Sequence, residues 1–587
     1  MEILNLKIQS IRRISCNGTF FSTGTQFVRR LSTDPRPSYL YCIGKEKLNY
    51  KTLGQQLDDT AEKLPNTEAL VSCHEGKRYT FSSIRDAVDR LAAGFLKLGL
   101  NQGDRVGIFA PNNVHWYLTM MGAARAGLVS VGINPAFQAP EVEYCLAKVG
   151  VKALVTANSF KNRQYYDILE RICPELKDSK DGHLKSNKLP HLKSVVIDSQ
   201  DKWAGTLRFD DLLDWSDKDD LQKVSHMQSG ITPDAPCNIQ FTSGTTGQPK
   251  AAVLTHFNLI NNAYFNGKRN EMEGHRILVQ NPLFHAYGVA ISITPALCHG
   301  ATIVLPTDGF NPEASLRAIV DENCTMVHGT PTMYVDLIKK QRELQLPIKT
   351  ADIAVTGGAL CSPQLFKDIK NVLGLKKVNS VFGMTELTAV CFQSMIGDDE
   401  DKILNTVGHL QDHLEAKVID GNGNTVPFGQ PGELCVRGYS VMLHYLNDEV
   451  KTKETLSESG WLHTGDQFVL YENGYGQIVG RLKEMIIRGG ENIFPKEIED
   501  FLATHPDILE THVIGVDDER LGEEVCAYVR LQDGAKNLTR EDLKKFCKGK
   551  LAHFKIPRFI RVVKDFPRTT SGKIQKFKLK EIFKNEK

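Results

Sequence analysis

Nine consecutive positions, Thr242-Ser-Gly-Thr-Thr-Gly-Gln-Pro-Lys250, hold two glycines, four hydroxyl side chains and a closing lysine. Gly244 and Gly247 permit positive φ and bring backbone N–H groups close to an anion. Thr242, Ser243, Thr245 and Thr246 add hydroxyl donors, and Lys250 adds charge beyond Gln248 and Pro249. That combination suits a loop wrapped around nucleotide phosphate. A flexible surface turn is the duller reading, but a plain linker has no use for the Pro-Lys ending. A P-loop needs Gly-Lys-Ser/Thr at its end, whereas here Pro249 precedes Lys250 and Ala251 follows. Asn238 to Phe241 predicts a short strand and Thr255 to Asn262 a helix start. The loop is therefore expected at a strand-to-helix junction, where anions bind.

Further segments follow: Pro282-Leu-Phe-His-Ala-Tyr-Gly288, Val381-Phe-Gly-Met-Thr-Glu386, Trp461-Leu-His-Thr-Gly-Asp466, Gly480-Arg-Leu-Lys-Glu-Met-Ile-Ile-Arg-Gly-Gly-Glu-Asn492 and Pro567-Arg-Thr-Thr-Ser-Gly-Lys573. In this order and at these separations they resemble the adenylate-forming superfamily of acyl-CoA synthetases, luciferases and adenylation domains. The resemblance implies that His285 lines an acyl pocket and touches the acyl carboxylate. It implies that Phe382 packs on adenine, that Thr385 reaches phosphate, and that Glu386 helps hold Mg²⁺. Gly358 joins the nucleotide site, Asp466 accepts the ribose hydroxyls, and Arg481 binds ribose or phosphate. Lys573 is brought to the α-phosphate. Lys483 is the hinge about which Arg488, Gly489 and Gly490 replace the lysine loop and admit CoA.

The chemistry asks for these residue types. A carboxylate has an oxide for a leaving group, so it must first become a mixed anhydride with AMP, and ATP supplies that activation. Attack on the α-phosphorus brings two anions together, so rate depends on positioning and cationic neutralisation rather than on a protein nucleophile. Lys573, Lys250 and Mg²⁺ meet that need, and a CoA thiol then attacks the acyl-adenylate. Each residue also has a plainer reading. Asp466 is an ordinary turn former, His285 could be a satisfied core histidine, Glu386 a helix N-terminal acid, and Lys573 one more solvated charge.

Three positions depart from the family pattern. Phe382 stands where tyrosine is usual, which keeps a face for adenine but removes a hydroxyl. Ala251 replaces a common glycine, and His463 replaces arginine or threonine. Neither of these two changes alters the expected chemistry.

A chain of 587 residues exceeds one core and predicts at least two domains. The expected fold is α/β: a large N-terminal ATP- and acyl-binding domain over 34–480 with parallel-rich sheets and crossover helices, a hinge at 481–483, and a small mobile α+β C-terminal domain over 484–587. Phe81 to Leu98 and Val114 to Ala126 have helical spacing, alternating with strands at Arg105 to Ala110 and Leu128 to Ile133. Residues 175–236, rich in charge runs, are expected to form an irregular surface excursion. After Gly480 the pattern predicts helices at Glu497 to Ala503 and Arg540 to Lys548, with strands at Glu510 to Gly515, Val525 to Leu531 and Arg558 to Val563.

The net charge of +2 hides an asymmetry: from Lys544 to Lys587 there are fifteen Lys/Arg against three acids. No recognition fold accompanies it, so polyanionic ATP and CoA are the expected partners and nucleic acid is not. Thirteen cysteines without Cys-x-x-Cys or metal-ligand spacing predict free thiols and no protein-bound zinc. The uncharged stretch from Ile277 to Thr307 is long enough to span a membrane, but Pro282, Pro295 and Pro306 with Gln280, Asn281 and two histidines make a transmembrane segment costly. It predicts core strands and a helix beside a ligand pocket. The first 33 residues hold Lys7, Arg12, Arg13, Arg29 and Arg30 against Glu2 alone, which reads as a mitochondrial transit peptide directing the chain to the matrix, with a disordered tail as the alternative.

Within the superfamily the resemblance is greatest to the mitochondrial medium-chain acyl-CoA synthetases, on stretches such as Met485-Ile-Ile-Arg-Gly-Gly-Glu-Asn-Ile493 and Ser571-Gly-Lys-Ile-Gln-Lys-Phe-Lys578. It implies a fatty acid of medium length. A luciferase-like oxygenase and a catalytically silent acyl-binding homologue share the ATP motifs. A carrier-loading module is disfavoured because no carrier domain follows Lys587. Oligomeric state is not legible.

Overall fold

A computed structural model describes residues 35–242, 249–357, 363–489, 491–535, 538–548, 550–569 and 573–586. The leader at 1–33 lies outside them, as do Ser243 to Gln248, Gly358 and Gly490.

The predicted helix–strand alternation is present. Helix Phe81–Lys97 starts on a capping box in which the Thr80 hydroxyl accepts the Ser83 N–H and the Ser83 hydroxyl accepts the Thr80 N–H. It buries Ile84, Val88, Leu91 and Phe95 along one stripe. Strand Arg105–Phe109 follows, then helix Val114–Arg125 and strand Val129–Gly132. These strands belong to a seven-stranded sheet whose order is Leu207–Arg208, Ser194–Asp198, Ala153–Ala157, Arg105–Phe109, Val129–Gly132, Pro236–Thr242, Lys250–Thr255. All its neighbours are parallel except the last pair.

That last pair corrects the expected setting of the phosphate loop. Thr242 is the register partner of Lys250, so the loop closes an antiparallel hairpin instead of feeding a helix. Ala251, Ala252, Val253 and Leu254 are buried and form the return strand, and the helix begins only at His256, with Thr255 as its cap.

The stretch 175–236 is also more regular than expected. Strand Ser194–Asp198, carrying buried Val195, Val196 and Ile197, pairs with Ala153–Ala157 and Leu207–Arg208, and helices Phe209–Asp214 and Lys218–Met227 follow. A short apolar run between polar flanks is enough when both faces of a parallel sheet are covered.

A nine-stranded sheet has a parallel centre formed by Lys377–Phe382, Ile353–Gly357, Met326–Gly329, Arg276–Val279, Thr302–Leu305 and Glu68–Ser72. The uncharged stretch supplies two of these strands, joined by a π-helical turn Tyr287–Ile293 and helix Thr294–His299. Among the described residues no helix is long and apolar enough to cross a membrane. An antiparallel five-stranded sheet contains Leu414–Ile419, Pro431–Gly438, Leu462–Leu470 and Gly476–Arg481. After it, strands Ile486–Arg488, Glu491–Ile493, Ile508–Asp518, Gly522–Leu531 and Phe559–Val562 form a separate sheet with its own core, including Ile493, Ile498, Val513 and Val525. Helices Pro495–Leu502, Arg540–Cys547 and Lys576–Asn585 flank it. The described cysteines are free thiols.

Candidate active site

Asp466 and Arg481 are register partners on the hairpin of strands Leu462–Leu470 and Gly476–Arg481. The Arg481 Nε lies 2.6 Å from Asp466 Oδ1, and Asp466 is 2% exposed. The N–H does not point along that line, so the buried Oδ1 still lacks a hydrogen-bond donor. Burial raises the Asp466 carboxyl to about 6, against the charges of Arg481 and Lys573. Its backbone N–H donates to the Thr464 hydroxyl at 3.1 Å, and that hydroxyl donates to the Leu434 carbonyl at 2.8 Å. The result is a fixed, buried acceptor with unused capacity, as a diol requires.

Phe382 ends a strand of the parallel sheet and stacks on Phe468 at 5.8 Å, with its ring half-buried. Beyond it the chain turns sharply. A Cβ on Gly383 would stand 2.1 Å from the Ala389 carbonyl oxygen, so only glycine fits. Thr385 and Glu386 lie in a 3₁₀ turn, and Thr388 and Ala389 take positive φ of 51° and 79°, costly for residues with side chains. The turn delivers Glu386, 5% exposed, to Tyr445. The Tyr445 hydroxyl donates to Glu386 Oε1 at 2.6 Å and accepts from Lys250 Nζ at 2.7 Å, and Lys250 also lies 4.1 Å from the tyrosine ring centre. Lys250 Nζ is 3.9 Å from Glu386 Oε1. Burial holds its ammonium below the ordinary lysine value; Glu386 opposes this, and Lys483 adds to it. Nearby, the Thr242 hydroxyl is buried and has no partner among the described residues.

On the other side of the cleft, His285 Nδ1 accepts the Tyr287 N–H at 3.1 Å, which leaves the proton on Nε2. Burial, then the Lys573 charge, takes the imidazole down to about 3, so the ring is neutral. Tyr287 donates to the Val355 carbonyl at 2.9 Å and packs near Gly357. This is the crevice at the carboxyl ends of parallel strands, where α/β sheets bind ligands.

Lys573 comes from the C-terminal segment. Its N–H donates to the Thr569 hydroxyl at 3.0 Å, and its carbonyl accepts the Thr569 N–H at 2.7 Å. Surrounding protein, then Arg481, holds its ammonium below the usual lysine range, while Glu386 and Asp466 pull it upward. The residue is exposed by solvent accessibility. Lys250, His285, Glu386, Asp466, Arg481 and Lys573 therefore share one electrostatic neighbourhood. Lys483 borders it on an exposed 3₁₀ turn, Leu482–Glu484. Arg488 and Gly489 make their contacts elsewhere, to buried Glu524 at 2.7 Å and to the Leu521 carbonyl at 2.7 Å.

The chain matches the AMP-binding enzyme family over residues 57–446 and the AMP-binding enzyme C-terminal domain over 497–573. It belongs to the AMP-binding enzyme family. It is 43% identical over 552 residues to the human mitochondrial medium-chain acyl-CoA ligase ACSF2, covering 93% of this chain and 89% of that one. Against the putative acyl-CoA synthetase YngI of Bacillus subtilis it is 36% identical over 543 residues, covering 91% and 97%. Among solved structures it resembles ATP-bound MatB from Rhodopseudomonas palustris, with a TM-score of 0.76, 25% identity and coverage of 91% and 99%. The anthranilate CoA ligase AuaEII in complex with anthranoyl-AMP shares the fold, with a TM-score of 0.81, 24% identity and coverage of 92% and 98%.

One residue of this cluster escaped sequence reasoning. Tyr445 lies in Val441-Met-Leu-His-Tyr-Leu446, an apolar run with no chemical signature. Only its pairing beside the strand Lys250–Thr255, with the Leu446 N–H donating to the Ala251 carbonyl at 2.8 Å, brings it under Lys250. The Asp466–Arg481 pairing was hidden too: the register leaving the turn, Leu470 opposite Gly476, would set Asp466 against Gly480, and only a bulge between Gln467 and Phe468 brings Arg481 across from it.

Proposed function

We propose that the protein is a mitochondrial, AMP-forming ligase that joins a medium-chain fatty acid to CoA through an acyl-adenylate. The observation that carries this reading is the Lys573 ammonium, contributed by the C-terminal segment, in the field of Glu386, Asp466, Arg481 and His285.

The residues suit ATP as substrate. Asp466 Oδ1 offers a buried acceptor to the ribose hydroxyls, and Phe382 offers a ring face to adenine. The Thr242 hydroxyl and Lys250 flank the phosphate-loop segment in the chain, with Thr385 on the turn before Glu386. The His285 Nε2–H would donate to the acyl carboxylate and hold it for in-line attack on the α-phosphorus. Lys573 stabilises charge growing on the α-phosphoryl oxygens, where a preorganised cation is worth most. Glu386 fits Mg²⁺, an ion held by one or two carboxylates together with substrate phosphates. Bound there, the ion would neutralise phosphate charge and aid departure of pyrophosphate.

For the second half-reaction Lys573 must leave. Rotation at the exposed Lys483 turn would exchange the lysine loop for the face bearing Arg488, Gly489 and Gly490, with Gly489 at φ +59° allowing pantetheine to pass close to the backbone. The medium chain length and the mitochondrial location follow the names of the relatives, to which the basic, acid-poor leader adds support. Fatty-acid-dependent ATP–pyrophosphate exchange across acids from acetate to palmitate tests the assignment. A maximum at medium length is expected; a preference for acetate or for very long chains defeats the chain-length assignment, and absence of exchange with every acid defeats the reaction.

A further inference from the structure

Glu433 and Cys435 lie two residues apart on the strand Pro431–Gly438 and so share a face, while His463 on the next strand is the register partner of Cys435. Linear spacing gave no hint of this, since 28 residues separate the cysteine from the histidine. The sheet brings their ligand atoms within 4.8 Å of one another. His463 Nδ1 is 3.0 Å from Glu433 Oε2 and 3.6 Å from Cys435 Sγ. A tetrahedral zinc ion with ordinary bond lengths needs N–O and N–S edges of about 3.3 and about 3.5 Å. The three donors are thus spaced close to the edges of one coordination polyhedron. Cys435 is fully buried, whereas His463 and Glu433 reach the surface, which leaves a fourth position toward solvent.

We propose that Glu433, Cys435 and His463 form a binding site for a soft divalent ion of the zinc class, and that its occupation loosens the turn holding Asp466. A thiolate with an imidazole selects such an ion over Mg²⁺. The ion replaces the protons on Sγ and Nδ1, which leave to solvent. The link to Asp466 runs through Glu433, whose Oε1 accepts the Gly465 N–H at 3.0 Å. Gly465, at φ +69°, forms the bulge immediately before Asp466. Charge that Oε2 gives to an ion weakens Oε1 of the same carboxylate as acceptor for that N–H.

Titration of the full-length protein with Co²⁺ tests the site, because a cobalt–thiolate bond gives a charge-transfer band. One ion per chain is expected, displaced by Zn²⁺, with the band lost in Cys435→Ser and in His463→Gln. Cys435→Ser should keep its circular dichroism and its pyrophosphate exchange in chelated buffer. No band in the wild type, or the same band in both variants, overturns the site. The link is tested with 5′-sulfamoyladenosine, which carries the ribose but no chelating phosphate. Zinc should weaken its binding about threefold in the wild type, the worth of part of one hydrogen bond, and not at all in Cys435→Ser. Unchanged affinity in the zinc-loaded wild type overturns the link. That arm rests on assigning Asp466 to ribose; failure of the compound to bind metal-free protein counts against that assignment, while the cobalt result stands independently.

Discussion

Glu386 and Asp466 are held by neighbours within the N-terminal sheets, whereas the main chain of Lys573 bonds to Thr569 of its own segment, once through the Thr569 hydroxyl and once through its N–H. The first two are buried beneath the cleft, on a strained turn and on a bulged strand; the third is exposed to solvent and tied to its own segment. In the proposed function, that difference would separate groups that keep one geometry throughout from a group needed for only one step. A permanent acceptor gains from rigidity, because reorganisation at the moment of reaction costs rate. A cation that must withdraw gains from a light attachment.

Lys573→Ala is the strongest way to break this comparison. Acid-dependent pyrophosphate exchange should fall about 10²–10³-fold, the usual cost of one preorganised charge-stabilising group, while thioester formation from supplied acyl-AMP is largely retained. Equal loss of both halves would show that the lysine is not a transient visitor. Tyr445→Phe probes the fixed side. It removes the donor to Glu386 and the acceptor for Lys250, leaving buried polar groups short of partners at roughly 1–3 kcal/mol, so KM for ATP should rise about tenfold with thermal stability reduced. A rise without loss of stability would mean that the tyrosine is not part of a rigid net.

Asp466 gives a pH readout. Its folded value of about 6 lies above the ordinary 3.8, so the folded protein binds this proton more tightly than the unfolded chain. The group's contribution to stability is therefore greatest at acid pH and declines as pH climbs from about 4 to about 6. In the proposed function nucleotide binding would run the opposite way, since the ribose hydroxyls would donate to the carboxylate. ATP affinity should fall as pH drops through about 6, and Asp466→Asn should flatten the profile; an unchanged profile in that variant excludes Asp466 as the titrating group. The smallest effect is expected from Phe382→Tyr, which restores a hydroxyl without altering the stacked face. KM for ATP should stay within about twofold, as for substitutions that touch no buried partner.

Much of this was legible from residue order. Helical spacing placed Phe81–Lys97 within one residue of its end, because an amphipathic stripe of that length has one packing solution. The C-terminal strands and helices were found where apolar alternation located them, though the long hairpin Ile508–Asp518 with Gly522–Leu531 extends well past Glu510 to Gly515. The hairpin closed by Thr242 and Lys250 was misjudged because Ala251 and Ala252 are weak strand formers held there by pairing. Tyr445 and the Glu433–Cys435–His463 group were invisible for a related reason: each depends on cross-strand register, which no local pattern states.

Arg481, the last residue of its strand, faces Asp466, and Lys483 lies two positions further on. In the proposed function, the residue assigned to the nucleotide and the residue assigned to the hinge are thus neighbours on one short piece of chain. Under that proposal, rotation of the C-terminal segment would be felt first at Arg481, so bound nucleotide would act as a brake and its chemical conversion as the release.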